Sequence, residues 1–289
     1  MLKRALQVFC GYGNGDTTIE NSYNVGNITA TGEKSRGGYA FGIAERGTIT
    51  KCYNTGNITA TCYVFGIGGT SVTDCFNTGD IEGNGTMNGY KDRVAGISDD
   101  ISERCYNTGK IIANGNYAGG ISAITGAINC YNTGEIYGVE RVGGISGHMN
   151  TTKTSNSYNI GKVTGTNWVG GIIGYRYRGD LLNNYYLDTV AEFGEGLSSS
   201  NENAEPLAES SMKGLTNTLN EIRSADGTVT GTQDVWKSDI GINNGYPILS
   251  WQTDNDKFNL INGDNAFVED TEGINGGYPI LAWQVENSK

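Results

Sequence analysis

The chain has 289 residues, of which 45 are glycine and three are proline, and its formal net charge is −11. The glycines lack the period of three that collagen requires, and the 17 tyrosines with regular Ile and Val positions argue against disorder. An acidic chain repels phosphate groups, which argues against nucleic acid and anionic membrane surfaces as partners. No stretch approaches the ~18 apolar residues of a membrane span, so we expect no membrane insertion.

Residues 1–10 begin with a basic pair, but their apolar run is too short for the core of a signal peptide. We interpret them as a truncated start or as the end of a preceding coil. The acidic, Asn-, Thr- and Gly-rich composition is typical of an extracellular or cell-surface protein. We find no export signal in these residues and therefore expect export to depend on a segment upstream of them.

A seven-residue motif, Cys-Tyr-Asn-Thr-Gly-Asn-Ile at residues 52–58, returns along residues 1–190. Its aromatic positions are 23 to 30 residues apart, and they are Tyr23, Tyr53, Phe76, Tyr106, Tyr131, Tyr158 and Tyr185. A repeat of this size is typical of a stacked array rather than of a conventional globular core.

Each repeat has three legs. The first leg enters the motif, and Asn-Thr-Gly-X predicts a type II turn with glycine at positive φ. The second leg alternates, with Ile58 and Ala60 on one face. The third leg reads Val-Gly-Gly-Ile at residues 142–145 and 169–172, where paired glycines indicate close backbone approach or a bend.

Three short strands in each unit of about 27 residues predict an all-β fold, a right-handed parallel β-helix of about six coils. A β-propeller is the competing interpretation, but its blades use four strands and ~40–45 residues. In a β-helix each motif position forms a column, with neighbours ~4.8 Å apart. The length variation falls between the second and third legs, for example at residues 84–93. We therefore expect loops, and any ligand surface, on that side.

Stacking of the coils predicts two columns of side chains, one of asparagines and one of cysteines. The first is an amide ladder of Asn24, Asn54, Asn77, Asn107, Asn132 and Asn159. The second contains Cys52, Cys75, Cys105 and Cys130. A straight column fits neither the ~3.8 Å Cβ separation of a disulfide nor the tetrahedron of zinc, so we interpret these cysteines as free thiols. Disulfide pairing remains the alternative. Only one of the cysteine and tyrosine columns can face the interior, and the sequence does not decide which.

The tail differs in composition. Residues 191–235 read as a linker with one short helix, because Met212, Leu215, Leu219 and Ile222 have helical spacing after a possible N-cap at Ser211. Residues 236–289 contain two Tyr-Pro-Ile-Leu-x-Trp-Gln units, at 246–252 and 278–284. A terminal coil has open strand edges that must be covered. We therefore expect the helix to dock on the end of the solenoid and the two units to be caps.

The alternation of Val-Gly-Gly-Ile-Ser-Gly with Cys-Tyr-Asn-Thr-Gly-Glu-Ile resembles the GLUG-motif repeats of bacterial surface proteins, which include adhesins. Those repeats pair a Gly-Leu-Val-Gly-like strand with an Asn-Ser-Tyr-x-Thr-Gly strand. The Tyr-Pro-Ile-Leu-x-Trp-Gln endings resemble those that close such arrays. The departures are Ile for Leu and Cys for Ser. The resemblance covers residues 20–190 and the two endings, and it implies a surface role without catalytic residues.

Residues capable of acid–base chemistry are few. His148 is the only histidine and follows a glycine, which predicts a solvated loop position. Asp99 and Asp100 are adjacent, with Asp92 nearby, and neighbouring side chains on a strand point to opposite faces, so we expect no convergence on one substrate atom. Neither a nine-residue calcium repeat nor an EF-hand loop is present. We therefore expect no enzyme activity, no metal and no cofactor.

One group of residues is a candidate ligand platform: Trp168, Tyr175, Tyr177 and Arg178. Aromatic side chains of this kind stack on sugars, although they also simply cover the outer face of a strand. The sequence favours a non-enzymatic adhesin or display scaffold within a larger surface protein, binding a host or cell-wall glycan or protein. The alternatives are a carbohydrate-active β-helix enzyme and an inert spacer.

Overall fold

A computed structural model describes residues 17–31, 38–85, 92–150 and 153–252, together with the backbone of strands Phe267–Val268 and Ile280–Leu281. The predictions for residues 1–10, for the loop interior at 86–91 and for the side chains of the second Tyr-Pro unit lie outside the described residues.

The fold is a parallel β-solenoid of about six coils, as the repeat predicts. Strands of successive coils pair in parallel and in register, so that Phe76 lies between Tyr53 and Tyr106. Ile81 lies in the same way between Ile58 and Ile111. Residues at one motif position therefore form straight columns along the solenoid.

Four parallel sheets run along the solenoid, and we number them in chain order within a coil. The first sheet contains Thr18–Glu20, Thr48–Thr50, Ser71–Thr73, Ile101–Glu103, Ala127–Ile128, Thr154–Ser155 and Leu181–Leu182. The second sheet contains Tyr23–Asn24, Tyr53–Asn54, Phe76–Asn77, Tyr106–Asn107, Tyr131–Asn132, Tyr158–Asn159, Asn184–Leu187 and Ala204–Leu207. The third sheet contains Ile28–Ala30, Ile58–Ala60, Ile81–Gly83, Ile111–Ala113, Ile136–Tyr137 and Val163–Thr164. The fourth sheet contains Tyr39–Phe41, Tyr63–Phe65, Arg93–Ala95, Tyr117–Gly119, Glu140–Gly143 and Asn167–Gly170. A further parallel pair joins Ser146–Met149 to Ile173–Arg176.

The coil thus has four short strands where the sequence predicted three. The predicted first leg divides at a corner residue with positive φ, such as Lys51 at 52° or Asp74 at 54°. After this corner the N–H of Cys52 donates to a side chain, Cys75 Sγ at 3.3 Å. The cysteine column therefore completes the hydrogen bonding at the corner.

The glycine of the Asn-Thr-Gly motif has a different role from the predicted one. Gly56 and its equivalents are absent from the described residues with positive φ, so the prediction of a type II turn is wrong. A Cβ on Gly56 would instead lie 2.1 Å from the carbonyl oxygen of Gly26 in the preceding coil. The third-leg glycines are equally constrained, since a Cβ on Gly144 would lie 2.0 Å from Gly171 O. Glycine is needed here for close coil-to-coil approach, as the paired glycines predict.

The six predicted asparagines form a continuous amide ladder inside the solenoid. Each is fully buried, and the Nδ2 of each of the first five donates to the Oδ1 of the asparagine in the next coil at 2.6 to 2.8 Å. The same nitrogen also donates to the carbonyl of the glycine two residues later, at 2.8 Å for Asn107 and Gly109. Five of the six amide nitrogens thus have two acceptors, and Asn159 Nδ2 donates to Gly161 O at 2.8 Å, so this buried polar column is satisfied rather than costly.

The cysteine column faces the interior and the tyrosine column faces outward. Cys52, Cys75, Cys105 and Cys130 lie in one buried cluster with interior isoleucines, and all five described cysteines, including Cys62, are free thiols. Burial raises the pKa of the Cys75 and Cys130 thiols well above the ordinary value, which keeps them neutral. The tyrosine rings stack 4.9 to 5.2 Å apart from Tyr23 to Tyr158.

The described part of the tail lies along the tyrosine column. The indole of Trp236 packs 5.6 Å from Tyr158, and that of Trp251 packs 5.7 Å from Tyr106. Gln252 Nε2 donates to Tyr131 Oη at 3.0 Å. The first Tyr-Pro unit was expected to cap the end of the solenoid, yet it covers this side, because outward-facing tyrosines form an apolar strip that must be buried. At the end of the second sheet, Ala204–Leu207 pairs with Asn184–Leu187.

The predicted single helix consists of two short ones, Glu209–Lys213 and Thr216–Leu219. The first begins after Ala208 and not after Ser211. Met212 and Leu219 pack against the tyrosine column, whereas Ile222 is in a strand and is 45% exposed. The remaining tail elements are antiparallel strand pairs and 3-10 turns: Glu221–Arg223 with Val229–Thr232, Trp236–Lys237 with Ile248–Leu249, Phe267–Val268 with Ile280–Leu281, Asn243–Gly245 and Ser250–Gln252.

Candidate functional site

The outer face of the fourth sheet carries a column of large side chains. We call it the aromatic–arginine column, and its members are Tyr39, Tyr63, Arg93, Tyr117, Arg141 and Trp168. Each member precedes the Val or Ala of a third leg, and those Val and Ala residues are buried in the interior, except Val169, which is partly buried against the same cluster. Strand alternation therefore directs the column outward, where Tyr39 is 47% exposed.

Neighbouring members of the column stack face to face at its N-terminal end. The rings of Tyr39 and Tyr63 have centroids 4.9 Å apart, and the guanidinium of Arg93 lies 4.8 Å from the Tyr63 ring. Arg93 also forms an ion pair with Asp99, with 2.7 Å between Nη1 and Oδ2. Cation–π and ionic contacts thus fix the guanidinium in one position beside the ring.

Arg141 is surrounded by aromatic rings at the other end of the column. Its guanidinium lies 4.6 Å from the Trp168 ring and 5.1 Å from each of the Tyr117 and Tyr175 rings. Glu140 Oε2 accepts from Arg141 Nη1 at 2.9 Å. Arg141 and Trp168 both have φ near 50°, a left-handed conformation that is uncommon for such bulky residues.

His148 belongs to this aromatic cluster, and the prediction of a loop histidine is wrong. It lies in the strand Ser146–Met149, with its ring stacked 5.5 Å from Tyr117 and edge-on 5.2 Å from Tyr175. The sequence missed this because Ser-Gly-His-Met extends the third leg beyond its glycine.

The structure brings together two of the four predicted platform residues. Trp168 and Tyr175 are in edge contact at 5.2 Å within the Arg141 cluster. Tyr177 and Arg178 form a separate pair, with the guanidinium 5.1 Å from a ring that is 58% exposed. Sequence reasoning missed five members of the column: Tyr39, Tyr63, Arg93, Tyr117 and Arg141. The signal was present, since one position before each third-leg Val or Ala is always Tyr, Arg or Trp.

A groove of about 290 Å³ lies beside the N-terminal half of the column. Phe41, Tyr63 and Phe65 supply its aromatic lining, and the Phe41 and Phe65 rings lie 5.6 Å apart. Thr70 and Thr125 add hydroxyl groups to the lining. A concave aromatic surface with a few polar groups is the usual form of a small-ligand site.

Five charged residues line the same groove: Glu45, Arg46, Arg93, Asp99 and Asp100. Asp99 and Asp100 both line the groove, and residues 99–100 form a bend, so the strand alternation from which we expected the two side chains to diverge does not apply there. Burial, with the charge of Asp99 nearby, raises the pKa of Asp100 above its usual value. The groove therefore combines aromatic side chains with carboxylate and guanidinium groups that can form hydrogen bonds to a ligand.

Within the described residues, no group of three or more His, Cys, Asp and Glu side chains is arranged to hold a metal ion. No helix in that part of the chain has the length and apolar character needed to cross a membrane. Comparisons of the chain with protein-family models, with curated proteins and with solved structures found no match.

Proposed function

We propose that this protein is a non-enzymatic bacterial surface scaffold of the adhesin type, which presents the aromatic–arginine column to a ligand outside the cell. One observation carries the proposal. Six aromatic and guanidinium side chains line up over five coil steps, or ~24 Å, on an outward-facing sheet. Tyr, Trp and Arg are the residue types that dominate binding energy at protein surfaces.

The contrast between the two aromatic columns supports this proposal. The tyrosine column of the second sheet is covered by the chain's own tail, as the Trp236 and Trp251 contacts show. In the aromatic–arginine column, Tyr39 is about half exposed and Tyr63 and Trp168 are partly exposed. A spacer needs no exposed aromatic strip, and the resemblance to GLUG-motif repeats favours a surface location.

The test is an array of host and cell-wall glycans and host proteins probed with the purified chain. A Tyr63→Ala/Trp168→Ala variant removes one ring from each half of the column. The matched control is Tyr137→Ala on the third sheet, whose ring also carries a cation, Lys110 Nζ at 4.6 Å. We expect binding that the double variant loses and the control keeps. Binding unaffected by the double variant, or no binding at all, contradicts the proposal.

A second candidate is a carbohydrate-active enzyme, and one observation favours it. Asp99 and Asp100 line a single groove, and Asp100 has a raised pKa. Glycosidases use two carboxyl groups, one of them with a raised pKa. Release of new reducing ends from a polysaccharide, abolished by Asp100→Asn, would favour the enzyme over the scaffold.

A further inference from the structure

From the composition of the groove, we infer that it is a binding subsite for an uncharged pyranose unit of a glycan chain. The inference rests on the proposed function and specifies its ligand. Phe41 and Tyr63 are partly exposed and line the groove, and aromatic side chains of this kind pack against the C–H groups of a sugar. The nearby charged groups match the hydroxyl groups at the edge of such a ring, since carboxylates accept and guanidinium groups donate hydrogen bonds.

The charges of the groove favour a neutral sugar over an acidic one. Three carboxylates and two guanidinium groups line it, so its formal charge is negative. Arg93 is already paired with Asp99 at 2.7 Å, and the whole chain carries −11. A uronate or sulfate group would meet repulsion rather than an unpaired cation. A sugar hydroxyl can both accept from Arg93 and donate to a carboxylate.

The backbone of the groove argues for a sugar chain over an extended peptide. Peptides that add to a sheet need a free strand edge. Tyr63–Phe65 is paired on both sides, with Tyr39–Phe41 and with Arg93–Ala95. This strand therefore has no free edge for a peptide. The volume of about 290 Å³ is close to the lower end of the ~300–1,000 Å³ range of ligand sites, which suits one or two rings.

The column continues the groove along the solenoid. Coils repeat every ~4.8 Å, which is close to the length of one sugar unit in an extended chain. A glycan lying along the fourth sheet would therefore place one ring in the groove and a later ring over the partly exposed Trp168. Short sugars should need only the groove, and long chains should need both parts.

The experiment is calorimetric titration of the full chain with neutral trisaccharides of β-1,4-linked glucose, mannose and xylose, with trigalacturonate as the acidic counterpart. The corresponding neutral polysaccharides are tested by affinity electrophoresis. The variants are Tyr63→Ala and Asp100→Asn in the groove, Trp168→Ala at the far end, and Tyr137→Ala as the control. Asp100→Asn keeps an acceptor for the Ile101 N–H, now 3.0 Å from Oδ1, so the bend should persist.

We expect one neutral trisaccharide to bind, with affinity reduced at least 10-fold by Tyr63→Ala and at least 5-fold by Asp100→Asn. Trp168→Ala should weaken polysaccharide binding by a larger factor than trisaccharide binding. Tighter binding of trigalacturonate, or of a host protein from the array, would overturn the neutral-sugar assignment. Polysaccharide binding that depends on Trp168 but on neither groove residue would overturn the subsite and leave the proposed function standing. If no glycan and no protein binds in any of these assays, both the sugar subsite and the proposed function are contradicted.

Discussion

Because the amide ladder is buried, the stability of the solenoid should depend strongly on the side-chain amide of Asn107. Its Oδ1 accepts from Asn77 at 2.7 Å, and its Nδ2 donates to Gly109 O at 2.8 Å and to Asn132 Oδ1 at 2.7 Å. Asn107→Ala leaves the last two oxygens buried without this donor. Each such loss costs about 1–3 kcal/mol, so the free energy of unfolding should fall by about 3–5 kcal/mol once the small cavity is included.

The assay is urea denaturation followed by circular dichroism, with the midpoint and slope measured separately. Thr108→Ala is the control, because that neighbouring side chain is exposed and its loss should change stability by less than about 0.5 kcal/mol. A second variant, Asn107→Asp, tests the direction in which stability changes with pH. A buried carboxyl has a raised pKa, so the variant should be least destabilised at low pH and lose stability as pH rises. A loss below about 1 kcal/mol for Asn107→Ala would refute the reasoning.

Three other predictions concern glycine, the corner and the tyrosine column. Gly120→Ala should lower the free energy of unfolding by about 3 kcal/mol, because the new Cβ would lie 2.2 Å from a carbonyl oxygen of the next coil. Gly231→Ala is the control, since a Cβ at that position meets no close atom. Equal urea midpoints for the two variants would contradict this prediction. Lys51→Asn should raise the free energy of unfolding by about 1 kcal/mol, because residue 51 has a φ of 52° and asparagine adopts this left-handed conformation more readily than lysine. The control Lys162→Asn, at an exposed position, should change the free energy of unfolding little in the same assay. Burial raises the pKa of Tyr185 to about 12, so its stabilising contribution should be complete below pH 10 and disappear as pH rises through 12. Absorbance at 295 nm that shows all tyrosines ionising near pH 10 in the folded chain would contradict this last prediction.

Much of the fold could be predicted because each repeat position has one stacked environment. The spacing of Asn54, Asn77 and Asn107 fixed the columns, and parallel pairing in register follows from it. The division of the first leg was not predictable from alternation. It depends on positive φ at the corner residue, where Lys51 gives little sign of a left-handed conformation, whereas Asp74 and Asn129 are of the types enriched in it.

The candidate site was less predictable for a different reason. The sequence search looked for chemistry in isolated residues, so it found Trp168 and Tyr175 but not the column that contains Trp168. Tyr63 and Arg93 are 30 residues apart and differ in type, yet the coil spacing places the guanidinium 4.8 Å from the ring. The bend at Asp99 and Asp100 was likewise invisible to a rule that assumes a strand. Once the register between successive coils is known, residues that are far apart in the sequence can be assigned to one surface.

Hydroxyl-radical footprinting with and without the ligand retained on the array is the most direct test of the binding face. Mass spectrometry then reports the oxidation of each aromatic side chain. We predict that the ligand protects Tyr39, Tyr63 and Trp168, while Tyr137 on the third sheet is oxidised equally in both samples. Protection confined to Tyr137, or no protection of the aromatic–arginine column at saturating ligand, would contradict the account.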